Sequence, residues 1–256
     1  MLRQAVTGAA LAAIVAGGAY RLRALSRDGA VAAFAVGAAV FGSGGWRAAA
    51  VLLAFFVPSS LLSRLGEPRK RAICPRNAHA RSAWQVLANG GVAAACALAM
   101  PRDGNRWRAA FAGAFAAASA DTWATEIGTL SKRSPVSILT LRPVAAGRSG
   151  GVTAAGTAAS AGGASCVAAV AALTGIAPFW CVALGGIGGA VLDSILGASL
   201  QALRWCPACA QECETLRHDC GAPTQLRRGA GWLENDGVNF AATLGGAIVA
   251  AACVTR

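Results

Sequence analysis

Apolar residues run almost unbroken along most of the chain, and polar residues collect between the runs. Segments near 5–20, 29–42, 46–62, 84–100, 107–130, 150–173, 178–203 and 237–254 are nearly free of charge. They lack the period-2 alternation of a membrane β-barrel strand. Continuous runs of this kind predict helices that cross a bilayer. Several fall short of the roughly 20 residues a crossing needs, so the first three can also be read as two spans and a re-entrant piece. The pattern predicts an all-α fold, a polytopic transmembrane helical bundle of about six to eight spans. It forms one integral-membrane domain over 1–256, with residues 204–236 as a short cysteine-rich loop within it. The opening MLRQAVTGAALAAIVAGGAY has some features of a secretory signal. No clear A-x-A site follows it and arginines come at once, so a first span is the better reading.

Composition agrees. The chain is 55% hydrophobic and 13% charged, against about 25% charged in water-soluble domains. The formal charge of +12 would point to nucleic acid on a soluble protein. Here it reads as basic loops meeting anionic lipid, with no nucleic-acid partner. Loops 21–28, 63–83, 131–149 and 204–236 carry 17 of the 23 Lys and Arg. That bias puts them in the cytoplasm, or in the stromal equivalent. Loop 101–108, with Arg102, Arg106 and Arg108, runs against it.

The polar residues inside the spans are not scattered. Gln85 and Asn89 open the fourth span, and Asp121 and Glu126 close the fifth. Asp193 lies late in the seventh, and Asp236 and Asn239 open the eighth. Every one falls in the cytoplasmic half. Intramembrane acids are costly and mark functional sites, so Asp121, Asp193, Asp236 and Asn89 are expected to converge in one pocket. In SADTWATEIGTLSK, helical spacing puts Ser119, Thr122, Glu126 and Thr129 on one stripe and Asp121, Thr125 and Lys132 on the next. Trp123 falls on the opposite face, toward lipid or a neighbouring helix. A structural ion pair is the plainer alternative for the acids. In GGIGGAVLDSILGASLQ, Gly185, Gly189, Asp193, Gly197 and Gln201 recur every four residues, which places Asp193 at a helix–helix seam.

Other motifs are weaker alone. Lys132, Arg133 and Arg142 precede the GRSGG stretch, Arg148 to Gly151, where Ser149, Gly150 and Gly151 lead into a helix start. Glycines there let backbone N–H groups close around an anion, though the Walker pattern is absent. Gln85, Asn89, Asn235 and Asn239 can cap helices or hold a ribose, a base or a metal-bound water. The run CPACAQECETLRHDC supplies Cys206, Cys209, Cys213, His218 and Cys220, five candidates for a four-coordinate structural zinc knuckle. Reduced loop thiols are the alternative. Cys96, Cys166, Cys181 and Cys253 read as small packing residues, and Cys74 lies in a basic loop. The two histidines, His79 and His218, both fall in loops. Carboxylates beside basic loops, without histidine, suit Mg²⁺ and phosphate chemistry.

Five blocks carry a family resemblance: WQVLANGG, ASADTWATEIG, GRSGGVTAAGTAAS, VLDSILGASLQ and WLENDGVNF, in that order from about residue 77 to 243. They resemble the signature blocks of the integral-membrane family called domain of unknown function 92, or the transmembrane protein 19 family. That family includes the plant phytyl-phosphate kinase of tocopherol biosynthesis. The resemblance implies a prenyl-phosphate kinase with CTP as donor. A fainter likeness, to CTP-dependent phosphatidate cytidylyltransferases and polyprenol kinases, implies that Asp121 and Asp193 bind Mg²⁺ and the nucleotide. The Lys-Lys-Thr-type run of those enzymes has only approximations here.

Together these readings predict Asp121, Glu126, Asp193 and Asp236 as the catalytic acids. Mg²⁺ would rest on Asp121, Asp193 and Asp236, and Glu126 would be a further ligand or orient one. Gln85, Asn89, Thr122, Lys132, Arg133, Arg142, Arg148, Ser149, Gly150, Gly151, Asn235 and Asn239 would bind substrate and nucleotide. The expected partners are an isoprenoid lipid phosphate, a nucleoside triphosphate and the bilayer. The rival classes are a lipid cytidylyltransferase and a non-enzymatic transporter or lipid-binding protein. A transporter of the inverted-repeat kind should show an internal repeat, and none is visible.

Overall fold

Serine and threonine caps mark where three of the apolar runs become helices. The computed structural model describes residues 2–68, 70, 80–100 and 104–254; Cys74, His79, Arg102 and Arg256 lie outside the described residues. The helices are α1 (Leu2–Arg21), α2 (Arg27–Arg64), α3 (Ala83–Ala99), α4 (Gly104–Gly128), α5 (Ala154–Leu173), α6 (Phe179–Ser199) and α7 (Asn235–Cys253). Ser26 caps α2 by accepting from Gly29 N at 3.1 Å. Ser82 and Gln85 form a reciprocal capping box on α3, and Thr153 caps α5 through Gly156 N at 3.0 Å. Each cap satisfies backbone donors that the helix itself leaves unpaired.

Helix α2 is 38 residues long, about 57 Å if straight, yet both its ends meet the same loop. Arg64 donates to Leu22 O at 3.2 Å, while Ser26 at the start follows directly from that loop. The chain reverses at Gly45, whose φ of 63° lies in the left-handed region. The turn is tight enough that a Cβ on Gly44 would stand 2.3 Å from Cβ of Ala48. The two apolar segments read as 29–42 and 46–62 are thus antiparallel arms, the first packed on α1 through Gly37 and Ala12.

Helix α4 sits at the centre, against α3, α5, α6, α7 and α2, and buries every residue from Ala109 to Ala120. Phe115 stacks on Phe55 at 5.5 Å and meets Phe111 edge-on at 5.3 Å. Among the described residues, four helices are by length and composition apolar enough to cross a membrane: α2, α5, α6 and α7. Val6–Arg21 and α3 are shorter apolar helices. This is fewer than the six to eight spans the pattern predicts. The reasons are local: the apolar part of α1 and all of α3 are short, and α4, wrapped by protein, carries Arg106, Arg108, Asp121 and Glu126 near its ends.

Two small sheets lie at one end of the bundle. β1 (Val136–Ser137) pairs antiparallel with β2 (Gly151–Val152). β3 (Leu203–Cys206) is the centre of an antiparallel β4–β3–β5 sheet, with β4 at Gln211–Cys213 and β5 at Gln225–Arg228. The cysteine-rich loop is therefore a folded sheet.

Two expectations need correction. Cys181 and Cys253 are not packing residues but a disulfide, with Cα atoms 5.2 Å apart. They are 72 residues apart in sequence, and only the antiparallel packing of α6 on α7 brings their far ends together. Cys96 and Cys166 are free, as packing residues should be. Helix α4 also ends at Gly128, so Lys132 lies in the following loop rather than on the helical stripe.

Candidate active site

The ends of α4 and α6 and the beginnings of α3, α5 and α7 surround a cavity of about 1780 Å³. Close backbone approach along α6 makes this possible. A Cβ on Gly185 would stand 2.6 Å from Gly246 O, and one on Gly189 would stand 2.7 Å from Ala242 O. The glycine stripe is thus a helix–helix seam, as its spacing predicts, and Asp193 stands one turn beyond Gly189 at the cavity wall.

Asp121 of α4 and Asp193 of α6 face each other there, their carboxyls within hydrogen-bonding reach. Asp193 Oδ2 is buried without a hydrogen-bond partner. A buried carboxylate oxygen without a partner beside a second carboxylate is an unfavourable pairing on its own. A hard cation would complete it, since Mg²⁺ takes carboxylate oxygens.

Glu126, one and a half turns further along α4, is differently placed. Its carboxylate pairs with Lys70 Nζ and accepts from Ser63 Oγ at 2.7 Å; the two ionic side chains are 13% and 7% exposed. Lys70 also donates to Leu62 O at 2.6 Å. Glu126 therefore ties α4 to the end of α2, which is the ion-pair role weighed above for the acids. Arg81 donates to the same Ser63 Oγ at 3.2 Å. Burial pushes its guanidinium below its ordinary value, and Glu126 opposes the shift.

Polar and basic side chains share the remaining wall with apolar ones such as Phe56, Ile187 and Val191. Gln85, Asn89 and Thr122 line it, as do Lys132, Arg133 and Arg148. Gln85 Oε1 is held by Ser82 N at 3.0 Å, and Asn89 Nδ2 donates to Gln85 O at 2.9 Å, so both also serve the start of α3. Asn235 and Asn239 line the α7 side, whereas Asp236 and Arg142 stand outside the lining. Trp123 packs on Gly162 and Gly163 of α5, the neighbouring helix its position predicts.

Ser149, Gly150 and Gly151 line the cavity but form no open anion cradle. Ser149 N and Oγ each donate to Glu214 at 2.9 Å, and Gln201 Nε2 donates to both Ser149 Oγ and Glu214 at 2.9 Å. Gly150 has φ 77°, and a Cβ there would strike Ala198 at 2.4 Å. Arg148 reaches Glu212 at 3.3 Å. Arg228 of β5 donates to Ala198 O and Gly197 O, capping the end of α6. Burial first, then Arg148, push the Arg228 guanidinium below its ordinary value.

Sequence reasoning missed Lys70, Ser63, Glu212, Glu214 and Arg228. Lys70 stands in a run of basic residues that nothing local distinguishes. Glu214 had one local signal, an acid placed directly after Cys213 in a basic chain.

The sequence profile described as integral membrane protein DUF92 matches residues 10–247. Protein PGR of Arabidopsis thaliana is 30% identical over 91% of this chain and 90% of its own length. An uncharacterized membrane protein of Synechocystis is 29% identical over 66% of this chain and 69% of its own length. One of Methanocaldococcus jannaschii is 32% identical over 69% and 74% respectively. No solved structure matches the chain.

Proposed function

The chain belongs to the DUF92 family of integral membrane proteins, and from that premise we propose that it is a membrane-embedded prenyl-phosphate kinase. It would move a phosphoryl group from a nucleoside triphosphate, CTP by the resemblance noted above, to an isoprenoid lipid monophosphate. The observation that carries this reading is the Asp121–Asp193 pair, with its unpartnered buried oxygen, in a cavity also lined by Lys132, Arg133 and Arg148. The donor set fits Mg²⁺, and Asp121 and Asp193 would hold it. When bound, such an ion neutralises and polarises donor phosphates.

The chain's own residues would do the rest. Lys132, Arg133 and Arg148 offset phosphate charge, and the amides of Asn89, Asn235 and Asn239 offer donors and acceptors to a ribose or base. Ile187 and Val191 of α6 line the cavity and are 41% and 44% exposed. A prenyl tail would lie along these apolar side chains while its phosphate reaches the acids. The acceptor phosphate is already anionic. Its oxygen bonds to the terminal phosphorus of the donor, the bond from that phosphorus to the bridging oxygen breaks, and a nucleoside diphosphate leaves. No proton must be removed, so the lack of histidine in the described wall is no obstacle. Catalysis would rest on position and electrostatics.

The site is proposed to face the cytoplasm or its equivalent. Most Lys and Arg lie on that side, and the free thiols of Cys206, Cys209, Cys213 and Cys220 lie there too. The Cys181–Cys253 disulfide lies at the opposite ends of α6 and α7, where an oxidising compartment suits it.

The test is purified protein in lipid nanodiscs with a panel of prenyl monophosphates, labelled nucleotides and Mg²⁺. Prenyl diphosphate with nucleoside diphosphate is the expected product pair. A nucleotidyl lipid with pyrophosphate assigns a cytidylyltransferase instead, and no turnover with any pair overturns the enzymatic reading.

A further inference from the structure

The cysteine-rich sheet carries a second constellation, independent of the proposed reaction. Two tight turns meet at its edge. The first joins β3 to β4 and presents Cys206 and Cys209, with Ala210 at φ 51° just beyond. The second presents His218 and Cys220, closed by Gly221 N donating to His218 O at 2.8 Å with Gly221 at φ 83°. The four ligand atoms all lie within 4.8 Å of one another. Cys206 Sγ stands 3.6 Å from Cys220 Sγ, and His218 Nδ1 stands 3.3 Å from the same sulfur. Tetrahedral zinc, with Zn–S about 2.3 Å and Zn–N about 2.05 Å, separates its ligands by about 3.8 Å for two sulfurs and about 3.5 Å for nitrogen and sulfur. The observed spacings fit that geometry. Cys213 is not part of the cluster: its thiol turns to Thr215 O at 3.9 Å. The structure thus selects four of the five candidates in the sequence.

We propose that Cys206, Cys209, His218 and Cys220 bind one structural Zn²⁺, and that this ion holds the β4–β3–β5 sheet against the 147–151 loop at the cavity rim. The second half follows from what the sheet carries. Glu212 of β4 pairs with Arg148, and Glu214, two residues on, receives both donors of Ser149. The strands are only three or four residues long, and β4 and β5 are largely exposed on either side of buried β3, so a unit this small gains from a staple. Four-coordinate zinc supplies folding energy directly to such small units.

The experiment uses the full chain in detergent, purified through a tag that binds no metal and without chelator. Elemental analysis should find about one zinc per chain, and Co²⁺ substitution should give the visible bands of a tetrahedral thiolate site. Cys209→Ser should lose most of the zinc, while Cys213→Ser should keep it. Stripping zinc from the wild type should speed amide exchange across residues 147–151 at least tenfold, with the membrane helices unchanged. That readout needs no enzymatic activity, so it stands or falls apart from the kinase reading. Under about 0.1 zinc per chain with no cobalt bands, a disulfide among these cysteines, or equal zinc loss in Cys213→Ser overturns the site. Unchanged exchange at 147–151 after stripping overturns its positioning role.

Discussion

Replacing Asp121 with Asn separates a catalytic carboxylate from a structural one, because its partner in the structure is another acid. Asp121 faces Asp193, while the ion pair nearby belongs to Glu126 and Lys70. Asn keeps the size and hydrogen-bonding capacity but removes one negative charge. Two carboxyls this close cannot both be ionised without repulsion, which would reach about 4 kcal/mol at about 4 Å and an effective dielectric of 20. Without metal, Asp121→Asn should therefore leave the thermal midpoint unchanged or raise it. The effect on chemistry has the opposite sign. Loss of one preorganised electrostatic group costs about 10²–10³ in kcat, or roughly 3–4 kcal/mol, and a cation bridged between two acids loses its site when either arm goes. The expected result is a drop of about a thousandfold in kcat at saturating Mg²⁺, with normal yield and folding. The assay is specific activity per folded molecule in nanodiscs, beside thermal unfolding with and without Mg²⁺. Wild type should be stabilised by Mg²⁺ and the variant should not. Near-normal specific activity, or a large loss of stability with activity tracking folded protein, would refute the reasoning.

Glu126→Gln should behave in reverse. It leaves Lys70 buried without its counter-ion, a loss of about 3–5 kcal/mol for a buried pair, so the thermal midpoint should fall while activity per folded molecule stays within about tenfold of wild type; a kcat loss equal to that of Asp121→Asn would move Glu126 into the catalytic set. Val191→Trp, at the apolar part of the cavity wall on α6, should raise KM for long-chain prenyl phosphates more than for short ones; equal effects on both would place the prenyl tail elsewhere. Alkylation of native membranes without reduction, followed by mass spectrometry, should recover a Cys181–Cys253 linked peptide; alkylated Cys181 would remove the redox argument for which side the site faces.

Much of the architecture was written in local patterns. Apolar runs must become helices in a bilayer, because no other open structure satisfies its own backbone there. Their breaks then mark the ends, as Ser26, Ser82 and Thr153 bear out. The segregation of Asn89, Asp121 and Asp193 to one end was legible too, since charge inside a span is costly enough to signal purpose. So was the seam through Gly185 and Gly189, because four-residue spacing alone sets a helical face. Membership of the family rested on the same blocks.

What only the tertiary structure decided concerns partners across the chain. Glu126 and Asp121 look alike in sequence, five residues apart on one helix. Packing gave one a lysine 56 residues away and the other a second acid. Cys181 and Cys253 resembled the other membrane cysteines until α6 and α7 brought them together, while the turns of the small sheet separated Cys213 from its four neighbours. The reversal at Gly45 and the grip of Glu214 on Ser149 are of the same kind. Periodicity records which way a side chain points from its own helix. What it meets there depends on how distant segments pack, and no local pattern encodes that.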